Sequence, residues 1–144
     1  MRVGSGKFVF EDIRDWAQLP AGIRFGECPG VAVDSQDRIY VLSRSAMPVT
    51  IFDSEGRNLG SWGQGLFGRP HHIFIGPDDS AYIVDDHGHK VCKFTSDGSL
   101  LLSIDTSDHV ADTGYVPGVR DSVVRSGPPV NTPTGLALSP DEHI

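Results

Sequence analysis

Two neighbouring imidazoles, His71 and His72, directly follow Pro70, and a second concentration of ligating side chains falls at Asp85-Asp86-His87-Gly88-His89. Imidazole nitrogens and carboxylate oxygens are the common ligands of divalent metals, so both stretches carry metal-binding chemistry by residue type. Each also has a plainer reading: a histidine can bond a backbone group at the start of a strand, and an acidic loop can simply be solvated. Arg44 is the third residue of interest, because a guanidinium can clamp an anionic group or pair with a neighbouring acid. There is no Ser-His-Asp order, no phosphate-cradling Gly-rich loop between strand and helix, and no dinucleotide-binding pattern. Cys28 and Cys92 stand far apart with no Cys-x-x-Cys, so neither a disulfide framework nor a thiolate zinc knot is encoded.

The elements that position these residues come from a repeat. Residues 25–62 align with residues 67–104 without a gap at a period of 42, and 10 of the 38 pairs are identical, among them Phe25/Phe67, Gly26/Gly68, Asp37/Asp79, Tyr40/Tyr82, Phe52/Phe94 and Gly56/Gly98. About two identities would arise by chance at ordinary composition. Within each copy the apolar runs are short, β-branched or aromatic, and separated by Asp, Ser and Gly, which is the signature of strands and tight turns. The pattern predicts strands over 30–34, 38–43, 48–53 and 58–63, then 72–76, 80–85, 90–95 and 100–104. A third copy opens at Thr134-Gly135-Leu136-Ala137-Leu138 and holds one strand.

Four strands recurring every 40–45 residues is the arithmetic of a β-propeller blade. The expected fold is all-β: a partial β-propeller of two complete blades and the start of a third. The divisions are an N-terminal segment 1–24 with a possible ring-closing strand around Phe8-Val9-Phe10, blades at 25–66 and 67–104, an inserted loop at 105–131, and the opening of a third blade at 132–144. A ring of four to eight such blades needs roughly 170 to 340 residues, so the 144 residues read as part of a longer propeller. The alternative is a short protomer that closes a ring with its own copies.

An up-and-down sheet puts alternate connections on one rim. That places His71, His72, Arg44 and the 85–89 loop together on an upper rim, with the tight Asx and Gly turns on the lower one. The inserted loop opens onto the upper rim, where it could serve as a lid or as a solvated surface loop.

With 12 Lys and Arg against 19 Asp and Glu the net charge is −7, which lacks the basic footprint of a nucleic-acid or anionic-membrane partner. A small-molecule or peptide substrate remains, or a protein partner. The opening residues have no apolar core of leader length and no run approaches the roughly 20 residues that span a bilayer, so the chain is expected to be soluble, with its compartment read as cytoplasmic or left unknown.

The residues then point to a family. Gly30-Val31-Ala32-Val33-Asp34, Arg44, Ser61-Trp62-Gly63, Pro70-His71, Val84-Asp85, His89-Lys90-Val91-Cys92-Lys93-Phe94 and Asn131-Thr132-Pro133-Thr134-Gly135-Leu136-Ala137 resemble the NHL-repeat propellers. More narrowly, they resemble the peptidyl-α-hydroxyglycine α-amidating lyases. The resemblance implies a six-bladed propeller that cleaves a peptidyl-α-hydroxyglycine or a related N-acyl hydroxyglycine to an amide and glyoxylate, with a catalytic zinc on three histidines and a structural calcium in the channel. It implies His71 as a zinc ligand, Arg44 as an active-site arginine, and Val31 and Ile73 as carbonyl ligands of the calcium. The other two zinc histidines and a tyrosine base would follow Ile144. His72 stands where the family has a small residue, which leaves open which imidazole meets the metal. A non-catalytic NHL propeller binding a protein or small ligand on its rim is the alternative.

Overall fold

The computed structural model describes residues 2–119, 121–141 and 143–144. Its strands are β1 (Arg2–Ser5), β2 (Phe8–Glu11), β3 (Gly30–Val33), β4 (Ile39–Leu42), β5 (Val49–Phe52), β6 (Asn58–Trp62), β7 (Pro70–Ile75), β8 (Ala81–Asp85), β9 (Lys90–Phe94) and β10 (Leu100–Asp105). They form a two-stranded sheet of β1 and β2 and two four-stranded antiparallel sheets, β3-β4-β5-β6 and β7-β8-β9-β10. The chain is all-β and has the arrangement of a partial β-propeller. Among the described residues no helix is long and apolar enough to cross a membrane.

Local chemistry sets the lower-rim turns. Asp34 Oδ1 accepts the N–H groups of Gln36 and Arg38, Asp53 Oδ1 those of Glu55 and Arg57, and Asp78 Oδ1 that of Ser80. Asp37 and Asp79, equivalent at the 42-residue period, both take positive φ, 59° and 60°, a conformation Asp tolerates better than most residues. The Asp79 carboxylate also ties the two sheets together, accepting from Ser35 N–H at 2.9 Å and Ser35 Oγ at 2.6 Å.

Strand alternation then builds the core between the sheets. Tyr40, Leu42, Val49 and Ile51 on one sheet face Ile73, Ile83, Cys92 and Phe94 on the other, with Trp62 and Phe67 packed alongside. Trp62 lies on Phe94 with ring centroids 5.0 Å apart and covers Gly98, where a Cβ would stand 2.6 Å from Trp62 Cδ2. One period earlier Phe52 receives Trp16 at 5.5 Å, and a Cβ on Gly56 would strike the Trp16 backbone. Trp16 therefore fills, on the outer face of the first sheet, the place that Trp62 fills on the second.

Three regions add to or depart from the sequence reading. Phe8-Val9-Phe10 is a strand, but it pairs with residues 2–5 as a separate hairpin whose Phe8 and Phe10 are exposed. The inserted loop begins on Asp105, the last residue of β10, and has no other strand residue among those described; Ala111 N–H bonds Val130 O, Val124 N–H bonds Thr113 O, and Asn131 Nδ2 bonds Ala111 O. Residues 134–138 form no strand or ladder among the described residues.

Candidate functional site

His71 sits on a β-bulge. In the β7–β8 ladder Pro70 opposes Asp85 and His72 opposes Val84, so His71 is the extra residue with no cross-strand partner. Such an insertion bends the strand and turns the side chain away from the regular alternation. His71 Nδ1 lies 3.1 Å from the carbonyl oxygen of Thr134. A carbonyl only accepts, so Nδ1 is the donor, and in the neutral form of the ring Nε2 is the nitrogen that keeps a lone pair. A histidine that ligates a metal through Nε2 holds its other nitrogen in this way, with N–H donated to a carbonyl or carboxylate. His72 makes no such side-chain bond among the described residues.

Arg44 reaches the same place from the other sheet. Its Nε donates to the carbonyl of Pro70 at 3.2 Å, one residue before His71, and its Nη1 pairs with Glu27. The Arg44 side chain is 20% exposed and that of Glu27 is 76% exposed. The same positions in the second blade carry the reverse arrangement: Arg69 stands for Glu27 and Asp86 for Arg44, joined at 2.9 Å with the Asp86 side chain only 6% exposed. Both blades thus pair a residue of the strand approach with one just past the second strand, with the charges exchanged.

Val31 and Ile73 occupy matching positions on the innermost strands. Asp34 N–H bonds Arg38 O and Gly76 N–H bonds Ser80 O, which fixes the ladder phase. Gly30 and Ala32, like His72 and Phe74, bond to the neighbouring strand, while Val31 and Ile73 turn their backbone groups to the unpaired inner edge. The two edges are close, since a Cβ on Gly30 would stand 3.1 Å from Ile73 Cγ2. Backbone carbonyls on that edge are the hard oxygen donors a calcium ion takes.

The 85–89 loop spends most of its polar groups on the fold. Asp85, fully buried, accepts Gly68 N–H at 2.8 Å, Arg69 N–H at 2.7 Å and Gly88 N–H at 3.1 Å, and so shapes the approach to His71. His89 Nδ1 accepts the N–H of Thr132 at 3.2 Å. Among the described residues no group of three or more His, Cys, Asp or Glu is placed to hold a metal ion. The structure brings Arg44, His71 and Thr134 together, keeps Val31 and Ile73 on the inner edge, and leaves His87 and His89 facing the inserted loop. Sequence reasoning missed the bulge, the carbonyl that orients His71, and the structural use of Asp85; the exchanged pair was readable by aligning Glu27 with Arg69 and Arg44 with Asp86. No family model matches the chain, and no curated protein matches it.

Proposed function

We propose that this chain forms part of an NHL-type propeller with the lyase chemistry of the α-hydroxyglycine amidating family, cleaving an N-acyl α-hydroxyglycine to an amide and glyoxylate. The observation that supports this reading is the His71 ring, set on a bulge at the rim with Nδ1–H given to Thr134 and Nε2 free. A zinc ion bound there would lower the pKa of the substrate hydroxyl. The described residues offer it one oriented imidazole rather than a full ligand set. Arg44, fixed beside His71 by Pro70 O, keeps further N–H groups with which to hold the substrate carboxylate and steady the negative charge that develops as the carbon–nitrogen bond breaks. Val31 and Ile73 would contribute carbonyls to a calcium that braces the inner edge.

A second reading has its own observation. The Arg44–Glu27 pair has a charge-exchanged counterpart in Asp86–Arg69, as expected if both pairs merely brace the rim of a binding propeller. Glyoxylate release from an N-acyl α-hydroxyglycine by the whole gene product separates the two. The lyase reading predicts turnover that is abolished by chelators and by His71→Ala and reduced in Arg44→Ala; no glyoxylate from the wild-type product refutes it and leaves the rim-binding reading.

A further inference from the structure

A pocket of about 210 Å³ lies between the β8–β9 loop and the inserted segment, lined by His87, His89, Tyr115, Pro117 and Thr132. Its polar character follows from one bond. Because a backbone N–H only donates, His89 Nδ1 must be the acceptor of the Thr132 N–H, and the neutral ring then carries its proton on Nε2. His89 is therefore a donor into its surroundings, the opposite of His71. A metal at Nε2 would need that proton removed while Nδ1 is already occupied, so the arrangement disfavours a cation and suits a hydrogen-bond acceptor.

Other features agree. Tyr115 is held through its backbone N–H by Thr113 Oγ1, while its hydroxyl has no hydrogen-bond partner among the described residues. Thr106 secures the His89 carbonyl with both its N–H, at 3.1 Å, and its Oγ1, at 2.8 Å. His89 and Thr132 both sit at positive φ, 49° and 45°. Such backbone conformations are unfavourable for non-glycine residues, above all for a β-branched one, and persist where neighbouring structure imposes them. The volume corresponds to roughly seven waters, below the usual range for larger organic ligands. Among the described residues the lining holds no Lys or Arg, and an ionised carboxylate, which only accepts, matches the donors His89 Nε2–H and Tyr115 O–H.

We propose that this pocket binds the head of a short-chain monocarboxylate, with His89 Nε2–H and Tyr115 O–H donating to its oxygens, His87 at the mouth, and the Pro117 ring against the alkyl tail. The site is independent of the lyase reading, since it uses neither His71 nor Arg44.

Sodium propionate and its neutral isostere propionamide, titrated into the whole chain while the imidazole nitrogens are followed by NMR, test it. Propionate should perturb His87 and His89 with a Kd of about 1–10 mM, in keeping with a ligand of some five heavy atoms. Propionamide should bind at least about tenfold more weakly, because it lacks the charge that strengthens donor bonds. His89→Ala removes the Thr132 bond and could disturb the loop, so Tyr115→Phe is the better variant, and it should weaken propionate about fivefold. Equal affinity for the two probes, an unchanged Kd in Tyr115→Phe, or zinc displacing the His89 Nε2 proton would each overturn the assignment.

Discussion

Asp85 is the residue on which the shape of the upper rim depends most. Its carboxylate is fully buried and accepts three backbone N–H groups, two from Gly68 and Arg69 ahead of β7 and one from Gly88 within its own loop. Asp85→Ala would strand all three donors. At about 1–3 kcal/mol for each buried group left unpaired, less what water at the rim recovers, the loss should be about 3–5 kcal/mol. That is a large share of the roughly 5–15 kcal/mol that holds a domain folded. Asp85→Asn keeps one acceptor oxygen and should cost about 1–2 kcal/mol. The first blade provides an internal control, because Ser43 stands at the equivalent position and accepts one N–H, that of Gly26, at 2.9 Å. Ser43→Ala should cost about 1 kcal/mol. Urea unfolding followed by tryptophan fluorescence measures all three. Asp85→Ala within about 1 kcal/mol of the wild type, or equal to Ser43→Ala, would refute the reasoning that this carboxylate organises the approach to His71.

Further expectations concern pH and the rim ion pairs. Burial and the hydrogen bond it donates to Asp34 push the Tyr40 phenol up to about 12; because the folded value lies above the unfolded one, its stabilisation is complete below about pH 10 and is lost as pH rises toward 12. Tyr40→Phe should flatten that alkaline decline in thermal midpoint and cost about 1 kcal/mol at neutral pH. At the acid end Lys93 holds Asp78 down to about 2, so its contribution is present above the ordinary carboxylate range and fades as pH falls toward 2; Asp78→Asn should remove that part of the acid limb. Arg69→Ala leaves a buried Asp86 carboxylate unpaired and should cost about 2–4 kcal/mol, whereas Glu27→Ala removes an exposed partner and should cost less than about 1 kcal/mol by the same unfolding assay.

The strands were legible because their signals are local. Alternating apolar residues from Val31 to Val41, and Asx turns such as Asp34 to Asp37, carry their own register, and the strand positions in both blades follow from them. The 42-residue period placed Arg44 and His71 on one rim by topology alone. What stayed hidden depends on distant partners. The carbonyl that fixes the His71 tautomer is 63 residues away, and the bulge that lifts His71 from the ladder appears only when β7 and β8 are set in register. By composition the 85–89 loop reads either as a metal site or as a solvated acidic loop, yet Asp85 is spent on backbone N–H groups and Asp86 on Arg69, a burial outcome that residue type does not encode. Residues 134–138 have strand composition without a ladder among the described residues.

His71 and His89 are assigned opposite tautomers, and a long-range nitrogen–proton NMR spectrum of the labelled chain, recorded during a zinc titration, reads both directly. This assignment predicts His71 protonated on Nδ1 with Nε2 shifting as zinc is added, an effect kept in His72→Ala and lost in His71→Ala, while His89 stays protonated on Nε2. His71 protonated on Nε2, or zinc acting first at His72 or His89, would contradict it.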